Sequence, residues 1–248
     1  MLEPNTELTQ SIKQRLATVE AGVTRAAEKS GRSANDVLIL AVSKLHPASV
    51  IEAAFACGLR AFGENYAEEA HEKIAQLSQL SGIRWEMVGH VQSRKSAMVA
   101  GDFSRVHSLD SVKLARRFEA ARAELGSVQP LDVLLQLNVS GEVSKEGLPA
   151  WDDAQRDGLL PVVSEILAFP HLRLTGLMTM PPLFEDPERN RLFFQRLRQT
   201  RDYLNTQIPN LGLTELSMGT SSDYLVAVEE GATIIRLGTA LLGPREIS

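Results

Sequence analysis

A single cysteine, Cys57, leaves this chain unable to close an internal disulfide or to assemble a multi-cysteine metal site. Its five histidines include no His-x-x-x-His pair, and His46 and His71 fall at a helix start or on a helix, so no metal site is expected. Positive charge is not in excess: a formal net charge of -5 argues against a phosphate-tracking nucleic-acid binder. The run from Arg189 to Arg201 reads instead as the solvated side of a helix, with Phe193, Leu197 and Leu204 inward. No apolar run reaches membrane-spanning length, and the opening Met1-Leu-Glu-Pro-Asn-Thr-Glu7 has neither a basic nor an apolar region. A cytoplasmic protein without membrane attachment is therefore expected. The adjacent carboxylates Asp152 and Asp153, and Glu68 and Glu69, diverge on a helix and read as surface charge. The glycine-bounded stretch from Gly141 to Gly147 lacks the Walker spacing and reads as a loop. No Pro/Gly/Ser-rich linker divides the chain, so 1–248 reads as one domain.

What the chain does have is a repeating unit. Leu8, Ile12, Leu16, Val19, Val23 and Ala26 recur at helical spacing, predicting an opening helix within 1–30 that stops at Gly31. Val37-Leu-Ile-Leu-Ala-Val42 follows, an apolar run without alternation that suits a strand covered on both faces, and it leads through Ser43 to Lys44. Pro47 opens a helix that Gly58 closes. Further strands are predicted at 60–65, 85–89, 105–109, 131–138, 172–177, 214–217 and 232–237. Helices are predicted at 67–80, 92–100, 111–125, 157–168, 187–207 and 222–230, with a terminal turn at 239–242; Leu114, Phe118, Ala121 and Leu125 share the inward face of one of them. Eight strand-then-helix units joined by short loops predict an α/β fold, a single (β/α)8 TIM barrel with the extra N-terminal helix packed outside it. An open doubly wound sheet is the rival arrangement.

In such a barrel the chemistry lies at the C-terminal ends of the strands. A lysine delivered there is either a snorkelling rim residue or a chemical group. Ser217-Met-Gly-Thr-Ser-Ser-Asp223 leaves the seventh predicted strand and enters a helix, and small hydroxyl-bearing residues at a helix N-terminus suit an anion. Plain helix capping explains the same residues equally well. Ile235-Arg236-Leu-Gly238-Thr239 places a second such turn after the eighth strand, and the loops after strands seven and eight recur as the phosphate site of this architecture. With Lys44, these turns suggest an aldehyde-bearing phosphate. Pyridoxal 5'-phosphate fits, and so does a phosphosugar held by a Schiff-base aldolase.

Taken in order, Ala41-Val-Ser-Lys44, Phe62-Gly-Glu-Asn-Tyr66, Trp85-Glu-Met-Val-Gly-His-Val-Gln-Ser93, Val106-His-Ser-Leu-Asp-Ser111, Asn138 to Gly147, Gly176-Leu-Met-Thr179, Leu216-Ser-Met-Gly219 with Ser221 to Tyr224, and Arg236-Leu-Gly-Thr239 resemble the pyridoxal-phosphate homeostasis proteins. The resemblance implies a fold-type III barrel like the N-terminal domain of alanine racemase, with Lys44 holding pyridoxal 5'-phosphate as a Schiff base. It implies that Ser217, Gly219, Ser221, Gly238 and Thr239 surround the phosphate, that Arg236 faces the pyridine nitrogen, and that Asn65 and Met178 line the pocket. Glu86 departs from the family's usual histidine after tryptophan, and Thr220 and Ser222 from its methionine and alanine.

Arginine is always protonated, so Arg236 can donate to the ring nitrogen but cannot take its proton, which leaves the ring a poor electron sink. No second acid/base group identifies itself, and little chain follows the last strand. The expected role is cofactor homeostasis without robust catalysis, by a monomer that serves pyridoxal-phosphate-requiring apo-enzymes. An amino-acid racemase and a regulatory partner-binding protein remain the alternatives.

Overall fold

The computed structural model describes residues 6–245. Of the opening heptad read above, residues 1–5 lie outside it. In chain order the helices are α1 (Thr6–Lys29), α2 (Ala48–Ala56), α3 (Ala67–Gln76), α4 (Ser96–Asp102), α5 (Val112–Glu124), α6 (Asp153–Asp157), α7 (Leu159–Leu167), α8 (Arg191–Gln207), α9 (Tyr224–Glu229) and α10 (Thr239–Leu242). The strands are β1 (Leu38–Val42), β2 (Ala61–Glu64), β3 (Arg84–Met87), β4 (Arg105–Leu109), β5 (Leu131–Asn138), β6 (Leu148–Pro149), β7 (Leu172–Met178), β8 (Glu215–Ser217) and β9 (Ile234–Leu237). All pairings are parallel, and they run β4, β3, β2, β1, β9, β8, β7, β5 before β5 returns to β4. That closure makes an eight-stranded barrel and rules out the open sheet.

Strand alternation divides the apolar residues between two compartments. Leu40, Ala61, Leu134, Met178 and Ile234 come from five different strands and pack together inside the barrel. Ala41, Phe62, Trp85, Val133 and Leu135 face outward against the helices. The unalternating apolar run of β1 is the sequence mark of that double burial. Helix α1 lies outside the repeat, against α2, α9 and α10, through Ile12, Leu16, Val19 and Val23.

Several expectations need correction. The helix predicted over 67–80 ends at Gln76. Leu125 caps α5 beyond its last turn and is 55% exposed rather than inward. In α8 Leu197 and Leu204 are buried as expected, but the buried phenylalanine is Phe194; Phe193 is only half-buried, and its ring stacks on Phe184 at 6.3 Å. The arginines of that helix are not simply solvated, since Arg191 pairs with Glu188, Glu229 and Glu230, and Arg198 with Glu230. Residues 187–190 form a 3-10 turn ahead of it. The short β6 and α6 escaped prediction because 148–157 is too short and polar to show a period.

Candidate functional site

Lys44 extends the inward parity of Leu38, Leu40 and Val42 past the end of β1. The turn that carries it is held from below. Ser43 N–H continues the ladder to Gly63 O at 2.9 Å, and Ser43 Oγ donates to Glu64 Oε1 at 2.7 Å. Lys73 Nζ, on α3, donates to Ser43 O at 2.8 Å, Glu64 Oε1 at 2.8 Å and Glu69 Oε1 at 2.6 Å. Glu69 Oε1 also accepts from Leu45 N–H at 2.6 Å, which fixes Leu45 in the left-handed region at φ 60°. Lys73 and the buried Glu64 thus clamp a turn that the local sequence disfavours.

Lys44 itself is half-buried, and its ammonium has no acceptor or carboxylate partner among the described residues. Burial holds its pKa below the usual lysine value, the Arg245 charge adds to this, and Glu64 and Glu69 oppose it. An amine so placed carries a raised fraction of the nucleophilic neutral form.

The lysine opens on a cavity of about 530 Å³ at the C-terminal mouth of the barrel, a size ordinary for a small-molecule site. One wall is made by the turns after β8 and β9, with Thr220, Ser221, Ser222, Gly238 and Thr239. Ser221 Oγ accepts from Ala240 N–H at 3.3 Å and ties the two turns together. Asp223 Oδ1 accepts from Thr220 N–H at 2.7 Å, so the aspartate holds the turn; it stands at the N-cap of α9 but makes no side-chain cap bond there, and plain capping does not account for it. The amides of Ser221 and Ser222 have no protein acceptor among the described residues. Unspent amides beside hydroxyls are an anion cradle.

Arg236 lines the cavity and is 5% exposed. Nη1 donates to Ser217 Oγ at 2.6 Å, and Nη2 to Thr179 O and Met180 Sδ at 2.8 Å each. Its Nε–H has no protein partner among the described residues. Burial lowers its pKa to about 10, against the pull of Asp223, so the guanidinium stays charged at neutral pH.

Seven of the nine expected site residues meet at this cavity: Lys44, Asn65, Met178, Ser221, Arg236, Gly238 and Thr239. Two do not. Ser217 is fully buried beneath Arg236 and shares its hydroxyl with His107 Nδ1 at 2.8 Å, so it supports the arginine and does not line the wall. Gly219 faces α9: a Cβ there would lie 2.6 Å from that of Ala227, and its φ of 91° shapes the turn.

Other lining residues, to which the sequence gives no assigned role, include Lys145, Arg245 and His90. Lys145 comes from the 141–147 loop, which Asn138 folds over the mouth: its Nδ2 donates to Glu142 O at 2.9 Å and its Oδ1 accepts from Gly141 N–H at 3.0 Å. Asn138 at a strand end was the available signal. Arg245 returns from the end of the described chain, and its Nε donates to Lys44 O at 3.2 Å. His90 follows β3, and its Nδ1 lies 3.3 Å from Asp110 Oδ2 at the cavity edge.

Fold and site together define a parallel α/β barrel whose mouth brings an unpaired lysine to an anion cradle. The model for the alanine racemase N-terminal domain matches residues 16–246. The pyridoxal phosphate homeostasis protein of Pseudomonas aeruginosa is 42% identical over 95% of this chain and 96% of its own length. Among solved structures, PipY of Synechococcus elongatus PCC7942 with PLP bound is 37% identical, with a TM-score of 0.79 over 94% of this chain and all of its own. Alanine racemase of Corynebacterium glutamicum shares the fold at 17% identity, TM-score 0.61, over 94% of this chain and 62% of that one. The chain belongs to the alanine racemase N-terminal domain family, among the pyridoxal phosphate homeostasis proteins.

Proposed function

We propose that this chain binds pyridoxal 5'-phosphate at the barrel mouth, with Lys44 as the residue bonded to it, and acts in the cell's handling of that cofactor. The observation that carries the reading is the unpartnered, half-buried ammonium of Lys44 facing a cavity walled by hydroxyls and unspent amides. When bound, the cofactor supplies an aldehyde that condenses with a primary amine, with loss of one water, and a phosphate dianion.

The residues present fit both ends. Lys44 offers the amine in an environment that favours its neutral form. Ser221, Ser222 and Thr239 offer donors for the phosphate without a lysine of their own. Gly238 lines the same wall beside Thr239. Arg236 aims a spare N–H from a charged, buried guanidinium, which suits an acceptor and cannot take up a proton. Met178 and Asn65 complete the lining. Arginine at that position leaves the ring nitrogen unprotonated, so holding and handing over the cofactor, to apo-enzymes that require it, is favoured over turnover. A monomer in the cytoplasm completes the reading.

One observation favours a second reading. His90, at the cavity edge with Asp110 at 3.3 Å and Glu146 at 3.9 Å, is a titratable group a racemase could use. Exchange of alpha-carbon hydrogen for deuterium in supplied amino acids distinguishes it. The primary test is a titration of the ligand-free chain with pyridoxal 5'-phosphate, followed by visible absorbance beside Lys44→Ala. A new band in the unmodified chain alone supports the reading; an equal band in the variant overturns it.

A further inference from the structure

The barrel interior holds a polar chain that the binding reading does not use. Ser217 Oγ, which accepts from Arg236 Nη1 at 2.6 Å, lies 2.8 Å from His107 Nδ1. His107 Nε2 lies 2.8 Å from Glu86 Oε2. His107 and Ser217 are fully buried and Glu86 is 1% exposed. The three come from β4, β8 and β3, and only closure of the barrel brings them into line.

Donor chemistry fixes the direction of every bond. Arginine only donates, so Ser217 Oγ is its acceptor. Burial opposes the Glu86 charge, but the His107 bond with the Arg105 and Arg84 charges outweighs it and keeps its carboxyl below the usual range. Glu86 is therefore an acceptor, and His107 Nε2 carries the hydrogen. Burial in turn holds the His107 pKa down, with the Arg236 and Arg105 charges adding to it against Glu86, so the ring is neutral and Nδ1 has a lone pair. Ser217 must then donate to Nδ1. The chain reads, without conflict, from Arg236 through Ser217 and His107 to Glu86.

We infer that Glu86, acting through His107 and Ser217, is the remote counter-charge of Arg236 and a positioning residue for whatever ring acceptor that guanidinium meets in the cavity. A buried arginine needs compensation, and the Asp223 charge supplies part of it. The relay supplies a second anion without placing a carboxylate in the cavity, where it would repel a phosphate. Removing that charge weakens Ser217 as an acceptor and frees the guanidinium to turn. The inference rests on the cavity being a pyridoxal-phosphate site only for its effect on affinity; its effect on His107 does not.

The test has two arms. In ligand-free protein labelled with nitrogen-15, proton–nitrogen correlation at neutral pH should show His107 as the neutral Nε2–H tautomer. A Nδ1–H tautomer or an imidazolium overturns the relay whatever the cavity binds. In the second arm the pyridoxal 5'-phosphate dissociation constant is measured for Glu86→Gln, Ser217→Ala and the double variant, each checked for the native circular dichroism spectrum. Each single change should weaken binding about tenfold, the worth of one charge-assisted hydrogen bond, and the double variant should lose no more than Ser217→Ala alone. Affinity within twofold of the unmodified chain, or losses that multiply, would show that the residues do not act as a chain. If the unmodified protein binds no pyridoxal 5'-phosphate, the binding reading fails while the tautomer arm still judges the relay. Should a variant fail to fold, the remaining one and the tautomer arm decide.

Discussion

Lys73→Met removes the cation that reaches Glu64 beneath the Lys44 turn. Lys73 Nζ lies 2.8 Å from Glu64 Oε1, and Glu64 is fully buried with its Oε2 unpartnered. Burial already pushes the Glu64 carboxyl above its ordinary value, even with Lys73 and Ser43 bonded to it. Breaking a buried pair by deleting one partner costs about 3–5 kcal/mol if the survivor stays charged. The survivor has an escape, which is to take a proton. For a carboxyl with an unfolded value near 4.3 this costs at most about 3.7 kcal/mol at pH 7, at about 1.4 kcal/mol per pH unit. The expected loss is therefore about 3 kcal/mol at pH 7. The sign of its pH dependence follows: in the variant the folded state keeps a proton that the unfolded chain has released above about pH 4.3, so its stability falls as pH rises and recovers as pH falls. Urea unfolding at several pH values measures this, and Glu64→Gln in the same chain should restore most of the loss. A cost under about 1 kcal/mol, or one independent of pH, would refute the clamp, since both require Glu64 to be unburied or otherwise paired.

Gly219→Ala should destabilise the chain by about 1–3 kcal/mol in the same assay, because φ is 91° and the new methyl would sit 2.6 Å from the Ala227 Cβ; a neutral change contradicts the turn geometry. Lys44→Met should raise the Tm of the ligand-free protein by about 1–3 °C, since it removes an ammonium whose burial the Glu64 and Glu69 charges offset only in part. Because the folded pKa of Lys44 is lowered, the unfolded chain binds more protons between that value and its own near 10.4, so unmodified stability gains with alkaline pH in that window. The variant should lack that gain, as thermal unfolding at neutral and alkaline pH would reveal. Arg245→Gln should raise the Lys44 pKa and slow its reaction with pyridoxal 5'-phosphate at neutral pH, a deficit that shrinks as pH rises; stopped-flow absorbance measures it, and an unchanged rate removes Arg245 from the site.

The barrel was legible from its repeat of strand-then-helix units and from the run before Ser43, which is apolar on both faces and suits a strand covered on both sides. Lys44 and the two hydroxyl-bearing turns were legible as residue types at strand ends. What the side chains there do was less so. β8 spans only Glu215–Ser217, too short to show inward parity, and Ser217 was assigned to the phosphate wall when its hydroxyl points under Arg236. The pairing of Glu86 with His107 spans 21 positions and depends on strand closure, so Glu86 registered only as a departure from the family pattern. Lys145 and Arg245 reach the cavity through loop paths that no local period encodes. The same is true of the Lys73 clamp, where a lysine on an amphipathic helix turns inward because Glu64 waits beneath it.

The central claim is that Lys44, and no other amine at the mouth, bonds to the cofactor. Lys145 lines the same cavity and is its natural competitor. Borohydride reduction of the chain after incubation with pyridoxal 5'-phosphate, followed by peptide mass mapping, decides between them. The account predicts one phosphopyridoxyl group, on the peptide that carries Lys44. The group on Lys145, or on no residue at all, would contradict it.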